Sequence, residues 1–270
     1  MNNLFKSWYG NKEKYIDTVN IKEFHNITMG CFGGSSERGA YKNEDGYIVA
    51  KPTDNSAFVV LLDAHTTDSS AKYFINKLAD KIDEIIKICR KSTEDAFPEL
   101  QNFITNFIKS EELKNECEGL IGETALLICF QKEEFLWWLS IGDNSVYVFH
   151  REFNELGQYK VNQRIFYQWI GQKNSIGLKV PCYTSGTLEL RAGVNKILLL
   201  TDGVLEIDGR PYEDNNKLKH VFRESSLDKS TGIVLEEVQR RKGADNATML
   251  SWMTNCKHQP LTPTRIYQYE

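Results

Sequence analysis

Three aspartates of this chain stand beside runs of apolar residues. Asp63 and, after one threonine, Asp202 follow such runs, and Asp245 comes just before another. Apolar runs of this length are typical of buried strands, and an unpaired carboxylate at the end of a buried strand costs free energy. Converging carboxylates would also repel one another, whereas a divalent cation between them would stabilise all of them. Because no cluster of His or Cys accompanies them, Mg²⁺ or Mn²⁺ is the indicated metal.

Further acidic residues occupy similar positions. Glu44 and Asp45 precede a predicted strand, and Asp143 follows one. For any one of these positions a turn is a sufficient explanation, because Asp, Asn and Gly are common where strands end. Together they favour a centre of two divalent ions, which lowers the pKa of a bound water and binds phosphoryl oxygens. The sequence contains no phosphate-binding P-loop, no G-x-S-x-G elbow and no H-E-x-x-H helix, so other hydrolytic mechanisms lack their motifs.

The composition is that of an ordinary globular protein. The 270 residues include 33 Lys and Arg against 37 Asp and Glu, for a net charge of −4, and 41% of them are hydrophobic. The mild acidity argues against a nucleic-acid partner, which requires a basic surface, and no apolar run approaches the ~20 residues that span a bilayer. The N-terminus lacks an apolar signal segment, and the six cysteines are scattered. We therefore expect free thiols, a cytoplasmic location and no membrane partner.

Apolar patterns predict alternating groups of strands and helices around these acids. Predicted strands cover residues 26–32, 46–51, 56–64, 123–131, 134–142, 145–152, 187–192, 195–203 and 247–253. Apolar residues at three- and four-residue spacing predict a helix over 69–91, a second one capped by Ser92 or Thr93, and two more around 213–224 and 230–242. Short connections within 123–152 predict an antiparallel meander, and Pro98 fits the first turn of the second helix.

The chain contains no Pro- or Gly-rich linker, so we predict one domain over 26–254. An extension at 1–25 precedes it, as a short helix or as a segment wrapped on the domain, and a tail at 255–270 follows it. Strands that alternate with helices favour an α+β sandwich with the sheets inside and the helices outside. The stretch 153–181 is irregular and rich in aromatic residues.

Six motifs occur in an order that resembles a known family. They are NEDG (43–46), DAHTT (63–67), GETAL (122–126), IGDNSVYV (141–148), LLLTDG (198–203) and DNATML (245–250). Together they resemble the metal-dependent protein serine/threonine phosphatases of the PP2C type, the PPM family, in its bacterial form. The resemblance implies a four-layer α-β-β-α sandwich with two central antiparallel sheets. It also implies hydrolysis of phosphoserine and phosphothreonine by a metal-activated water, a phosphoprotein substrate, an opposing Ser/Thr kinase and a monomeric protein.

Seven residues match the positions of the family's metal ligands: Asp63, Ala64, Glu44, Asp45, Asp202, Asp245 and Asp143. By this resemblance Asp63 bridges two Mn²⁺ or Mg²⁺ ions, and the Ala64 carbonyl replaces that of a glycine. Either Glu44 or Asp45 holds the second ion, and Asp143 holds a third, weaker one. The two remaining aspartates complete the ligands of the first ion.

Two catalytic roles also follow from the resemblance. His65 matches the histidine proposed to protonate the leaving alkoxide, and Arg38 is the nearest counterpart of the arginine that grips the phosphate. Arg38 stands earlier than the bacterial spacing requires. Either a bulged loop delivers it, Lys42 substitutes as a point charge, or the metals hold the phosphate unaided; we favour the first.

Some motifs depart from the family pattern. The D-G-H-G-G of the family is D-A-H-T-T over residues 63–67, and its G-T-T-A is G-E-T-A over 122–125. If the second position requires a positive φ, Ala64 is strained there. The aromatic residues of 165–169 occupy the place of the family's variable flap, where they contact a protein substrate or simply pack. Two functions therefore remain: an active phosphatase, which the retained acids favour, and a catalytically weak PP2C-like regulatory or scaffold domain.

Overall fold

The computed structural model describes residues 4–262, apart from the side chain of Glu224. Within this range the strands are β1 (Phe5–Tyr9), β2 (Val19–Phe24), β3 (Ile27–Phe32), β4 (Gly46–Ala50), β5 (Ser56–His65), β6 (Glu123–Lys132), β7 (Phe135–Ile141), β8 (Ser145–Phe149), β9 (Ile170–Gly171), β10 (Thr184–Glu189), β11 (Gly193–Leu200) and β12 (Ala247–Cys256). The helices are α1 (Ser69–Asp80), α2 (Ile82–Cys89), α3 (Thr93–Ile108), α4 (Glu111–Cys117), α5 (Arg151–Glu155), α6 (Asn215–Glu224) and α7 (Leu227–Arg240). Short 3₁₀ turns cover Ser36–Arg38 and Asp202–Val204.

The strands form two antiparallel sheets. The first sheet has the order β1-β4-β5-β6-β7-β10, with β9 also paired to β6, and the second has the order β2-β3-β12-β11-β8. Strand β5 lies inside the first sheet and is buried on both faces. Phe58, Val60 and Leu62 pack toward the helices, whereas Val59 and Leu61 pack toward the second sheet. This burial confirms the prediction made from the continuous apolar run.

Helices cover the outer face of each sheet, so the molecule has four layers. One apolar cluster joins the first sheet to α1–α4, a second fills the space between the sheets, and a third joins the second sheet to α6 and α7. The predicted α+β class and the four-layer α-β-β-α sandwich are confirmed. No helix between residues 4 and 262 is both long and apolar enough to cross a membrane.

The predicted meander over 123–152 is correct for one strand pair only. Strands β6 and β7 pair as expected, but β8 leaves the first sheet and pairs with β11 in the second. The connection Gly142–Asn144 therefore crosses between the sheets. Gly142 has a φ of +99°, a left-handed conformation that favours glycine. The Asn144 side chain is buried and donates to the Leu61 carbonyl at 3.5 Å. Asp143 is thereby placed at the end of both sheets.

The helix predictions need several corrections, and the short helix α5 was not predicted at all. The helix expected over 69–91 is two helices, because α1 ends at Asp80 and α2 begins at Ile82. Helix α3 begins at Thr93, and the Ser92 hydroxyl caps it by accepting from the Asp95 amide, as predicted. Pro98 lies in its second turn rather than its first. Helix α4 was not predicted, because Leu113 and Cys117 are its only buried residues.

The described part of the predicted extension contains strands and no helix. Strand β1 pairs with β4 at the edge of the first sheet, and β2 pairs with β3 at the edge of the second. The alternative of a short helix is therefore wrong for residues 4–25. Backbone hydrogen bonds to both sheets hold these residues on the sandwich. Strand β12 runs to Cys256, and residues 263–270 of the predicted tail lie outside the described residues.

Candidate metal centre

The acidic residues predicted from the sequence meet at one end of the sandwich because of strand direction. In the first sheet Leu62 of β5 pairs with Gly46, so Asp45 lies beside Asp63. In the second sheet the end of β11 lies beside the start of β12, and the Thr201 hydroxyl accepts from the Thr248 amide at 2.9 Å. Antiparallel pairing therefore brings the acids at the ends of two strands together with those at the starts of their neighbours.

The tightest acidic group contains Asp63, Asp143 and Asp202. One carboxylate oxygen from each lies within 4.8 Å of the others. Asp63 is 4% exposed and Asp143 is 9% exposed. Asp245 is not a member of this group, but its charge raises the pKa values of Asp63 and Asp45, so it lies close by.

Several buried carboxylate oxygens of this site have no hydrogen-bond donor within residues 4–262. They are Glu44 Oε1, Asp45 Oδ1, Asp63 Oδ2 and Asp202 Oδ1. Buried acceptors are normally paired, and an unpaired charged group costs several kcal/mol. Oxygen ligands without nitrogen or sulfur are what Mg²⁺ and Mn²⁺ prefer. The residues present therefore fit divalent ions.

The fold matches solved phosphatase structures over most of its length. A bacterial serine phosphatase shares 16% sequence identity at a TM-score of 0.63, over 86% of this chain and 98% of that one. The chain has the PP2C-type phosphatase fold. The serine/threonine phosphatase Stp1 from Staphylococcus aureus has 13% identity and a TM-score of 0.59, over 94% of this chain and 97% of that one. RsbX in complex with magnesium has 12% identity and a TM-score of 0.55, over 88% of this chain and 100% of that one. No protein-family profile and no curated protein matches the sequence.

Within the PP2C-type fold, burial and mutual repulsion disfavour the ionised form of these acids. Burial raises the pKa of Asp63 and that of Asp45 well above the usual aspartate range, and neighbouring aspartates raise them further. Burial also raises the pKa of Asp202 to about 7, with additional contributions from Asp245 and Asp143. A divalent cation would reverse these shifts, because it favours the charged form of every ligand.

The raised pKa of Asp202 predicts how the metal-free protein responds to pH. The folded pKa of about 7 exceeds the unfolded value near 4, so this group destabilises the fold as pH rises through that window. In EDTA, Asp202→Asn should leave the Tm nearly unchanged at pH 4 and raise it by several degrees at pH 8. Thermal unfolding of both proteins across this range measures the effect. Parallel Tm curves for the two proteins would contradict the raised pKa.

Lys42 is the cation beside the acids that precede β4. Its Nζ lies 2.8 Å from Glu44 Oε2 and donates to the Thr66 carbonyl at 2.8 Å. Burial raises the pKa of Glu44, and the Lys42 hydrogen bond partly offsets that rise. The Asn246 side chain fixes this loop, because it accepts from the Glu44 amide and donates to the Gly33 and Lys42 carbonyls.

The sequence favoured a bulged loop that delivers Arg38 to the site, but Arg38 forms its ion pair with Asp208 and not with Asp63, Asp143 or Asp202. Its guanidinium donates to Asp208, and its side chain is 46% exposed. The 3₁₀ turn Ser36–Arg38 ends at Gly39, whose φ is +89°. Arg38 still borders the site, since it lines a cavity of about 140 Å³ together with Lys42 and Asp245.

The variant motif over 63–67 has its backbone strain at an unexpected residue. Ala64 continues strand β5 opposite Thr124, and its φ is not positive. Thr66 instead has a φ of +77°, which is unfavourable for a β-branched residue. His65 ends the strand, and its ring meets that of Trp169 edge-on at 6.3 Å between centroids.

Arg164 is a residue of the site that the sequence did not indicate. It lies in the aromatic segment after α5, and its side chain is 11% exposed. The guanidinium reaches Asp143, Asp202 and Glu206. Arg164 is the one arginine in the stretch 153–181, and this was the only feature of the sequence that could have indicated it. No spacing rule connects it to the aspartates.

Proposed function

We propose that this chain hydrolyses phosphoserine and phosphothreonine in proteins, by means of a water activated at a binuclear Mg²⁺ or Mn²⁺ centre. The observation that carries the proposal is the convergence of Asp63, Asp143 and Asp202 within 4.8 Å. The unpartnered buried oxygens around them add support. Two solved proteins of the same fold are a serine phosphatase and a serine/threonine phosphatase, and a third, RsbX, was solved with magnesium.

Each acid has a place in the proposed centre. Asp63 and Asp202 would hold the first ion together with Asp245, and the Ala64 carbonyl would serve as a ligand in place of a glycine carbonyl. The second ion would take Asp63 and either Glu44 or Asp45, and Asp143 is the candidate ligand for a third. When bound, such ions polarise phosphoryl oxygens and lower the pKa of water.

The test is metal-dependent hydrolysis of para-nitrophenyl phosphate and of a phosphothreonine peptide. We expect turnover with Mn²⁺ and none in EDTA. Asp202→Asn should reduce turnover at least ~10²-fold, because metal stabilisation of the transition state is worth several kcal/mol. Full activity of Asp202→Asn, or equal activity in EDTA, would refute a catalytic role for this centre.

Lys42 is the proposed phosphate-binding cation, since it contacts the cluster and Arg38 does not. A phosphate monoester is dianionic, so a nearby ammonium lowers its free energy when bound. We expect Lys42→Ala to raise KM for a phosphopeptide several-fold, and the matched Arg38→Ala to change it little. Steady-state kinetics of both variants with Mn²⁺ present measures this. The opposite ranking would return the role to Arg38.

A catalytically weak regulatory or scaffold domain is the second candidate. It is favoured by the pairing of Arg38 with Asp208 and by the strained backbone at Thr66. Mn²⁺ binding without hydrolysis of either substrate would support this candidate over the phosphatase.

The substrate and the compartment are part of the same proposal. A phosphoprotein substrate implies a Ser/Thr kinase that produces it, and we propose that the protein acts as a monomer in the cytoplasm. All six cysteines are free thiols, and Cys182 is the one among them that is not buried. Free thiols are usual in a reducing compartment.

A further inference from the structure

The Arg164 guanidinium lies among the carboxylates that form the candidate metal group. Its Nη2 atom is 2.6 Å from Glu206 Oε1, 3.5 Å from Asp143 Oδ2 and 3.8 Å from Asp202 Oδ2. Its Nε atom donates to the Asp143 carbonyl at 3.2 Å. The side chain therefore interacts with two of the three aspartates that converge within 4.8 Å.

The segment that carries Arg164 is fixed to the turn that carries Asp143. The Ile165 amide donates to the Gly142 carbonyl at 3.0 Å. The Asn162 side chain donates to the Asn144 carbonyl at 2.8 Å and accepts from the Val146 amide at 2.8 Å. Hydrogen bonds on both sides of Arg164 thus hold it beside Asp143, and the ring of Phe166 lies 4.9 Å from the guanidinium carbon. Such anchoring lowers the conformational entropy that this long side chain loses on pairing.

A divalent ion at Asp143 would share its carboxylates with Arg164, whose Nη2 atom already lies 3.5 Å from Asp143 Oδ2 and 3.8 Å from Asp202 Oδ2. Oxygen ligands sit roughly 2–2.6 Å from Mg²⁺ or Ca²⁺, so an ion between Asp143 and Asp202 would lie close to the guanidinium. The divalent ion and the guanidinium would then repel each other strongly, because water is largely excluded from this site. Arginine remains protonated under all ordinary conditions, so it cannot give way by losing its charge.

We propose that Arg164 is a resident cation beside Asp143 and Asp202 and takes the place of the third divalent ion, for which Asp143 would otherwise be the candidate ligand. This role depends on the metal centre proposed above. It has two consequences: the native chain binds one ion fewer than its carboxylates could hold, and the metal-free cluster is partly neutralised by the chain itself.

The test counts Mn²⁺ ions per chain by isothermal titration calorimetry, with electron paramagnetic resonance of free Mn²⁺ as a second measurement. We expect Arg164→Ala to bind one more Mn²⁺ than the wild-type chain and Arg164→Lys to bind the wild-type number. Arg191→Ala is the matched control, because Arg191 is 15% exposed and pairs with Glu152 away from the cluster. That variant should also bind the wild-type number.

Stability gives an independent measurement. Without Arg164 the cluster has more uncompensated charge in EDTA and more ions at saturation, so the Mn²⁺-induced rise in Tm should be larger in Arg164→Ala than in the wild type. If Arg164→Ala does not fold, Arg164→Gln gives the same comparison. An unchanged ion count and an unchanged Tm rise in a folded Arg164 variant would overturn the proposal and leave the metal centre intact. Absence of Mn²⁺ binding to the wild-type chain would overturn both.

Discussion

Replacing Asp63 by asparagine is expected to abolish the response of this protein to Mn²⁺. Asp63 is buried, one of its oxygens has no donor in the described chain, and it belongs to the group within 4.8 Å. At one hundred times its Kd, a ligand that binds only the native state stabilises it by about 2.7 kcal/mol. For a domain of this size that is a rise in Tm of roughly 5–10 °C. Thermal unfolding with and without Mn²⁺ should show this rise in the wild type and not in Asp63→Asn.

Two controls separate metal loss from damage to the fold. Asp83→Asn changes an exposed aspartate on α2 and should keep the full rise in Tm. In EDTA, Asp63→Asn should be at least as stable as the wild type at neutral pH. Burial raises the pKa of the Asp63 carboxyl group, so its ionised form destabilises the folded state, and asparagine carries no such charge. A normal Mn²⁺ response of Asp63→Asn would place the metal site elsewhere.

The layers of the fold could be predicted because the apolar pattern of each strand and helix indicates which of its faces is buried. Continuous apolar runs in β5 and β11 and the amphipathic pattern of α1 depend on local sequence alone. The partner of β8 could not be predicted in this way. A short turn after β7 is compatible with a hairpin, and the crossing to the second sheet depends on the packing of Asn144 against the β5 backbone. Strand pairing of this kind is a tertiary property.

The acidic residues of the site could be predicted from the apolar runs beside them. The basic residues that meet them could not be predicted in this way. Asp63 and Asp202 follow runs of apolar residues, so their sequence neighbours indicate positions near the buried ends of strands. Arg38 lies in a short 3₁₀ turn and Arg164 in an irregular segment, and in both the direction of a long side chain depends on turns that propensity does not fix. The positive φ likewise occurs at Thr66, whereas the motif suggested Ala64. Motif order therefore locates the carboxylates, and loop geometry decides which cation meets them.

The environment of His65 is consistent with a role as proton donor. The residue ends strand β5, and Trp169 of the aromatic segment packs against its ring. Its charge lowers the pKa of Asp245 and that of Glu44, so its imidazole lies within electrostatic reach of the cluster.

His65→Gln is expected to separate substrates by the quality of their leaving group. A serine or threonine alkoxide must be protonated as it leaves, whereas para-nitrophenolate leaves without a proton. General acid catalysis contributes ~10²–10⁴-fold, so turnover of a phosphothreonine peptide should fall by that factor while hydrolysis of para-nitrophenyl phosphate is nearly spared. His220→Gln, at an exposed position on α6, should change neither substrate. The measurement is kcat for both substrates with saturating Mn²⁺. Equal losses on the two substrates would mean that His65 positions the substrate or the water and does not donate the proton.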